Sequence, residues 1–248
     1  MESDESIRRL LAERTRFSAF EHLASCPSTQ DVAATVGECN IIWADHQTEG
    51  RGRRDRAWVD APGLDVLVTF GVRGFTPRDP LALPAVLPIA VARTLEPRAG
   101  RPIRVKWPND VHLDGRKIAG LLIDAPGEDP GCFLIGVGIN VNRTEFPREL
   151  ADSATSLALA RGQDFDRGQL VLDLALRVEE ALGAVESGNL GDWAREFSSR
   201  LALIGRRVTV LARGLQHHGR IARVDLEGIA LEEGPSFSLG EVQRILVD

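Results

Sequence analysis

The chain carries 30 lysines and arginines, and only two of them, Lys106 and Lys117, are lysine. Both fall in one stretch, "KWPNDVHLDGRKIAG". Lysine and arginine differ most where a compact point charge must meet an oxyanion, so this skew marks the stretch as a candidate anion site. A second cluster lies upstream. "TEGRGRRDR" (48–56) sets Arg51, Arg53, Arg54 and Arg56 around Gly50 and Gly52, with almost nothing apolar. Guanidinium groups grip phosphate and carboxylate in a fork, and glycines let the backbone bend closely around what is gripped. The same loop also reads as a plain solvated basic loop. Two further pieces are weaker. "GVGIN" (136–140) has glycines two apart, which on a strand means a bulge, a close ligand or tight packing. "STQ" (28–30) reads as a helix cap on Ser28 or Thr29, or as polar ligand contacts.

Other chemistries find no support. Cys26, Cys39 and Cys132 are scattered, and no CxxC or HExxH occurs, so reduced thiols and no dedicated metal site are expected. GxSxG and GxxxxGK[ST] are absent. A net charge of −6 argues against a general nucleic-acid binder. The charged first residues lack a signal-peptide core, and no apolar run reaches the roughly 18 residues of a membrane span, so a cytoplasmic protein with no membrane contact is expected.

Positioning these residues requires a scaffold, and its pattern is mixed. Residues 4–16 predict a charged helix, and "CPSTQDVAATV" a turn followed by a helix. Strands are predicted at 40–47, 64–73, 103–107 and 132–142. Residues 79–98 are helical in composition, with Pro84 and Pro88 expected to end or kink the helix. "DVHLDGRKIAGLLID" predicts a hairpin around Asp114-Gly115, a type I′ pair. Pro108 is expected to break the sheet and turn Asn109 and Asp110 out of it as polar handles. Residues 165–187 and 190–203 have amphipathic helical periods. After Leu203 only short β-like runs follow, giving an expected division into residues 1–202 and a small all-β unit, 203–248. Hairpins between many of the strands predict an α+β class with a mixed sheet.

The ordered set "STQ", "HQTEGRGRRDRAW", "VKWPNDVHLDGRKIAGLL" and "IGVGINVN" resembles the biotin protein ligases from about residue 22 onward. The resemblance implies a class II synthetase-like catalytic domain, a mixed β-sheet flanked by helices, followed by an SH3-like β-barrel. It implies ATP-dependent conversion of biotin, with Mg²⁺ carried on the ATP, to biotinyl-5′-AMP. Transfer to a lysine of a biotin carboxyl carrier domain, usually that of acetyl-CoA carboxylase, would follow.

The implied biotin contacts are Ser28, Thr29, Gln30, Gln47, Arg51, Gly52, Arg53 and Lys117, with Gly120, Gly136 and Gly138 as close backbone walls. The implied adenylate contacts are Arg51, Arg53, Arg56, Trp58, Lys106, Asn109, Lys117 and Asn140. Lys117, Arg51, Arg53 and Asp110 are the implied catalytic set, Asp110 orienting or deprotonating the acceptor lysine. The resemblance also leaves room for a homodimer, for a lipoyl or octanoyl ligase of the same fold, and for a non-catalytic biotin-binding regulator.

Three departures from the family pattern stand out. Gln30 replaces a more common Asn. Asp55 occupies a usual glycine, where its charge can pair with a loop arginine. "GLDVLVTF" lacks a frequent Gly-Asn-Leu. With about twenty residues ahead of the core, the winged helix-turn-helix of the repressor branch does not fit, which predicts a ligase without DNA-binding function.

Overall fold

The computed structural model describes residues 4–54, 56–127, 129 and 131–247. A seven-stranded sheet forms its centre. In chain order the strands are β1 (Ala19–Leu23), β2 (Asn40–Ala44), β3 (Val66–Val72), β4 (Ile103–Lys106), β5 (Asp110–Leu113), β6 (Arg116–Asp124) and β7 (Phe133–Ile139). The spatial order is β1-β2-β3-β7-β6-β5-β4, with β1 and β2 parallel and every other neighbour antiparallel. The sheet is mixed, as the hairpin-rich pattern implied.

Strand pleating sorts the side chains. Val66, Val68, Phe70 and Val72 of β3 and Ile135, Val137 and Ile139 of β7 belong to one apolar core with helices α3 (Leu83–Ala99) and α5 (Arg167–Ser187). Thr69, Gly136 and Gly138 alternate with them on the opposite face. There α2 (Thr29–Thr35) packs on β2, β3 and β7. Helix α1 (Asp4–Arg14) packs on α5, and α6 (Gly191–Leu201) on α3 and β4. Among the described residues, no helix is long and apolar enough to cross a membrane.

Three local expectations need correction. Pro88 neither ends nor breaks α3, which runs through it and through Pro97. Pro88 is buried in the core, and that burial outweighs the backbone bond it cannot donate. Asp110 is not turned out of the sheet. It opens β5, opposite Lys106 on β4 and Gly120 on β6, and residues 107–109 form the turn, with a cis Trp107-Pro108 bond. Two short elements, β1 and α4 (Leu157–Arg161), lie outside the expected set. The Asp114-Gly115 turn has φ of 50° and 80°, both positive, as a type I′ hairpin requires.

The C-terminal strands are β8 (Arg207–Ala212), β9 (Leu215–Val224), β10 (Ile229–Leu231), β11 (Ser236–Phe237) and β12 (Val242–Val247). They form an antiparallel sheet in the order β11-β10-β9-β8-β12. Register shifts in the β9–β10 and β8–β12 pairings give the bends that a small barrel needs. Its apolar side chains continue the main core. The Trp107 indole donates to the Val242 carbonyl at 2.8 Å, which joins the turn after β4 to this unit.

Candidate active site

A cavity of about 410 Å³ opens on the α2 face of the central sheet. It is bounded by the start of α2, the arginine loop, the β3, β6 and β7 faces, and the segment 143–154. Every residue expected at the site, from Ser28 to Asn140, borders this one space.

The α2 end is a polar pocket. Ser28 has the extended backbone of an N-cap, but its side chain makes no capping bond. The hydroxyl therefore stays available to the cavity. Gln47 Oε1 accepts from Thr29 N (2.7 Å) and Thr29 Oγ1 (3.0 Å), and Thr29 Oγ1 lies 2.8 Å from Thr69 Oγ1. Thr69 was not singled out in the sequence; as a threonine in an apolar strand it is an ordinary β-former. Gln30 Nε2 donates to the Leu122 carbonyl at 3.1 Å, so the longer amide spans to β6, while its buried Oε1 has no partner among the described residues.

The glycines make room for protein side chains. A Cβ at Gly136 would lie 3.1 Å from Gln30 Nε2, and one at Gly138 would lie 2.5 Å from the Trp58 ring. At Gly120 it would lie 2.9 Å from Lys117 Nζ and 3.0 Å from Trp58. These glycines thus seat an amide, an indole and an ammonium against the sheet.

The arginine loop is a tied hairpin. Gly52 N donates to Arg56 O at 2.7 Å, Trp58 N donates to Gly50 O at 2.9 Å, and Arg51 bridges Ala57. Asp55, whose charge was expected to meet a loop arginine, lies outside the described residues. Among the described residues, six cationic side chains, Arg51, Arg53, Arg56, Lys106, Lys117 and Arg143, line the cavity against one carboxylate, that of Asp110. Three of the cations hold carboxylates: Lys117 on Asp110 (2.6 Å), Arg51 on Asp31 (2.5 Å) and Arg143 on Asp65 (3.3 Å). Arg53, Arg56 and Lys106 have no carboxylate partner among the described residues. Burial, reinforced by Arg54 and Arg56, lowers the pKa of Arg53. A dianion entering here would relieve that repulsion.

Lys117 is fixed from both sides of its backbone. Its N–H donates to Ser153 O (2.8 Å) and its carbonyl accepts from Thr155 N (2.9 Å). Asn140 Nδ2 donates to Thr155 O at 2.9 Å, and Asn109 Nδ2 donates to Leu121 O at 2.7 Å, so both amides also brace the walls. Lys117 Nζ stands 5.3 Å from the Trp58 ring centroid.

The wall formed by Arg143, Phe146, Leu150, Ser153 and Ala154 was not read from the sequence. His112 is also new: its Nδ1 lies 3.0 Å from Gly115 O, and burial together with Lys106 and Lys117 lowers its pKa, so it is neutral at pH 7. Arg143 donates to Val59 O at 3.0 Å and lies 4.2 Å over Phe146. Its partner Asp65 is fully buried, and burial raises that carboxyl to about 6 despite Ala61 N–H, Arg143 and Val141 N–H. The folded chain therefore keeps this proton to higher pH than the unfolded chain. The group's contribution to stability is complete below about pH 4 and falls by about 3 kcal/mol as pH rises through about 6. A ¹³C carboxyl titration of Asp65 is expected to show a midpoint near 6. A midpoint near the free value of about 4 would show that its donors fully offset the burial.

Among the described residues, no group of three or more His, Cys, Asp or Glu side chains could hold a metal. One carboxylate beside many cations suits a magnesium ion that arrives on phosphate oxygens.

Residues 28–140 match the Biotin/lipoate A/B protein ligase family, a span that begins at Ser28 and ends at Asn140. The Biotin--[acetyl-CoA-carboxylase] ligase of Mycobacterium tuberculosis is 32 % identical over 201 residues, covering 76 % of this chain and 71 % of that protein. The chain belongs to the biotin protein ligase family. The Bifunctional ligase/repressor BirA of Bacillus subtilis is 31 % identical over 216 residues, 83 % of this chain, and the match spans 66 % of that longer protein. Among solved structures, a biotin protein ligase from Aquifex aeolicus in complex with biotin and ATP superposes with a TM-score of 0.82 at 28 % identity, covering 94 % of this chain and all of that one. For this biotin protein ligase family member, the likeness covers both units: the mixed sheet with its helices and the small C-terminal SH3-like barrel.

Proposed function

We propose that the chain is a biotin protein ligase. It joins biotin to the α-phosphate of MgATP, releasing pyrophosphate, and transfers biotin from biotinyl-5′-AMP to one lysine of a biotin carboxyl carrier domain of acetyl-CoA carboxylase or a related enzyme. The observation that carries this reading is one cavity with a small polar end and a cationic middle. Ser28, Thr29, Gln47 and Thr69 crowd the polar end; Arg51, Arg53 and Lys117 form the middle. A bicyclic urea offers N–H and C=O groups to the Ser28 hydroxyl and the Gln47 amide, whereas a linear octanoyl or lipoyl chain would cover the uncapped Ser28 hydroxyl without a polar partner.

In the first step the biotin carboxylate attacks the α-phosphate, one anion upon another. Arg51, Arg53 and Lys117 supply positive charge where the transition state concentrates negative charge, in a site that the loop closes to water. Magnesium bound to the phosphates supplies further charge neutralisation. Lys117 must leave Asp110 for the phosphate and carboxylate oxygens, which frees the Asp110 carboxylate to receive the acceptor amine. Trp58 and the 143–154 wall hold the adenine, with Asn109 and Asn140 bracing that side. We also propose residues 1–202 as the catalytic domain and 203–248 as the barrel, working in the cytoplasm, where the free thiols of Cys26, Cys39 and Cys132 stay reduced.

The deciding assay mixes the protein with biotin, MgATP and a carrier domain. Biotin-dependent pyrophosphate release and biotinylated carrier are expected. Biotin binding by calorimetry without adenylate by mass spectrometry would favour a non-catalytic regulator instead. Faster turnover with lipoate or octanoate would favour the related acyl ligases.

A further inference from the structure

Helix α2 brings Ser28, Thr29 and Gln30 to the polar end of the cavity, yet α2 has little stability of its own. It is seven residues long, and a helix shorter than about 12–15 residues is marginal in water. Its N-cap Ser28 makes no capping bond. Its apolar anchor is small: Ala33, Ile42 and Leu134 form a buried cluster apart from the main core, with Leu23, Val32 and Val36 at its edge. The end away from the cavity is held by polar groups of the sheet. Arg73, directly after β3, points Nη2 at the carbonyls of Ala33 (3.0 Å), Val36 (3.0 Å) and Ala34 (3.4 Å), and its Nη1 donates to Val72 O (3.2 Å). The last carbonyls of a helix lack intrahelical donors, and a cation there also meets the negative end of the helix dipole. Asn40, wholly buried on β2, donates to Ala33 O at 3.3 Å and Glu38 O at 2.9 Å. Gly71, opposite Asn40, leaves it room, since a Cβ there would lie 2.5 Å from Asn40 Nδ2. The Arg73 N–H is itself fixed on Cys39 Sγ at 3.3 Å.

We infer that Arg73 is a positioning residue for biotin: by capping the far end of α2 it holds Ser28, Thr29 and Gln30 where the ligand meets them. The inference rests on the ligase reading above. Arg73 lies outside the cavity lining, at the other end of a helix about 10 Å long, so it acts through α2 and touches no substrate. The small cluster under α2 is separate from the main core, so loss of the cap stays local. Trp58, Lys117 and Asn140 are carried by other elements, and the nucleotide side does not depend on α2. One link crosses between them, Arg51 on Asp31 at 2.5 Å, but both side chains are about half exposed and such a pair holds weakly.

Arg73→Met keeps the aliphatic stem and removes the donors. Apparent affinity scales with the fraction of molecules whose α2 is in place, so a helix in place about one-tenth of the time binds biotin about tenfold more weakly. A loss of that size is expected by calorimetry with biotin alone, with faster amide exchange over residues 32–36 and unchanged exchange in α5. At saturating biotin, the KM for ATP and the rate of pyrophosphate release are expected to stay within about twofold, as an intact nucleotide side requires. General loss of structure would instead weaken biotin and ATP use together. Arg73→Lys keeps the charge and part of the bonding, and an intermediate loss for biotin is expected. Unchanged biotin affinity in Arg73→Met would overturn the inference, and so would equal losses for biotin and ATP. If Arg73→Met does not fold, Arg73→Lys decides, and full biotin affinity there would overturn it. An unsubstituted protein that binds no biotin would instead sink the ligase reading itself.

Discussion

Lys117→Arg is expected to slow biotin-dependent pyrophosphate release by about 10²–10³-fold, the usual effect of removing one donor from an anion-stabilising site. Charge is conserved in this substitution, so the loss would come from shape. Lys117 Nζ sits 2.6 Å from Asp110 and 5.3 Å from the Trp58 centroid, over Gly120, where even a Cβ would come within 2.9 Å. A planar guanidinium with a longer reach cannot occupy that slot and aim at the same point. The Lys117 and Asp110 side chains keep 33 % and 29 % of their exposure, so their ion pair contributes little to folding, about 1 kcal/mol or less. The expected result is a slow enzyme with an almost unchanged Tm. Pyrophosphate release and a thermal melt measure the two halves. A near-normal rate would remove Lys117 from the chemistry.

The position of Lys117 was legible because its signals are local. Asp114 and Gly115 fix a two-residue turn, the apolar alternation fixes which side chains face the core, and the rarity of lysine marks the residue. The arginine loop was legible for the same reason: its composition suits little besides an exposed loop. The residues that escaped notice depend on distant partners. Strand β1 is five residues long and takes its identity from parallel pairing with β2, about twenty residues on. The stretch "RTEFPRELADSAT" has no apolar period, and the bonds of Ser153 and Thr155 to the Lys117 backbone bring it to the cavity. Asp65 stands just ahead of β3, and its partners are the Ala61 and Val141 N–H groups and Arg143, the last two more than 70 residues away. Pro88 shows the converse: a strong local rule for ending a helix is overridden by burial against the sheet. The glycines of "GVGIN" announced a close approach without saying what approaches, because a missing Cβ records space and not its occupant.

That occupant at Gly138 is Trp58, and Gly138→Ala should therefore act through a residue 80 positions away. The new Cβ would lie 2.5 Å from Trp58 Cε2 and 2.6 Å from Cζ2, nearer than real atoms pack. The Trp58 backbone cannot shift freely, since its N–H is held by Gly50 O at 2.9 Å and the preceding Ala57 bridges Arg51. The ring must swing away instead, leaving Lys117 and the adenine side of the cavity. Strand β7 itself gains from the exchange, because alanine loses less backbone entropy than glycine, by roughly 0.5–1 kcal/mol. Stability should then hold while nucleotide binding weakens by about 1–3 kcal/mol, the usual worth of one aromatic platform under a base, or about 5- to 150-fold in the KM for ATP. Trp58→Ala should show a similar loss, and adding Gly138→Ala to Trp58→Ala should cost almost nothing more, because the added methyl then has no ring to displace. Additive losses in the double variant would mean that Gly138 meets the nucleotide directly, and that Trp58 is a neighbour and not the platform.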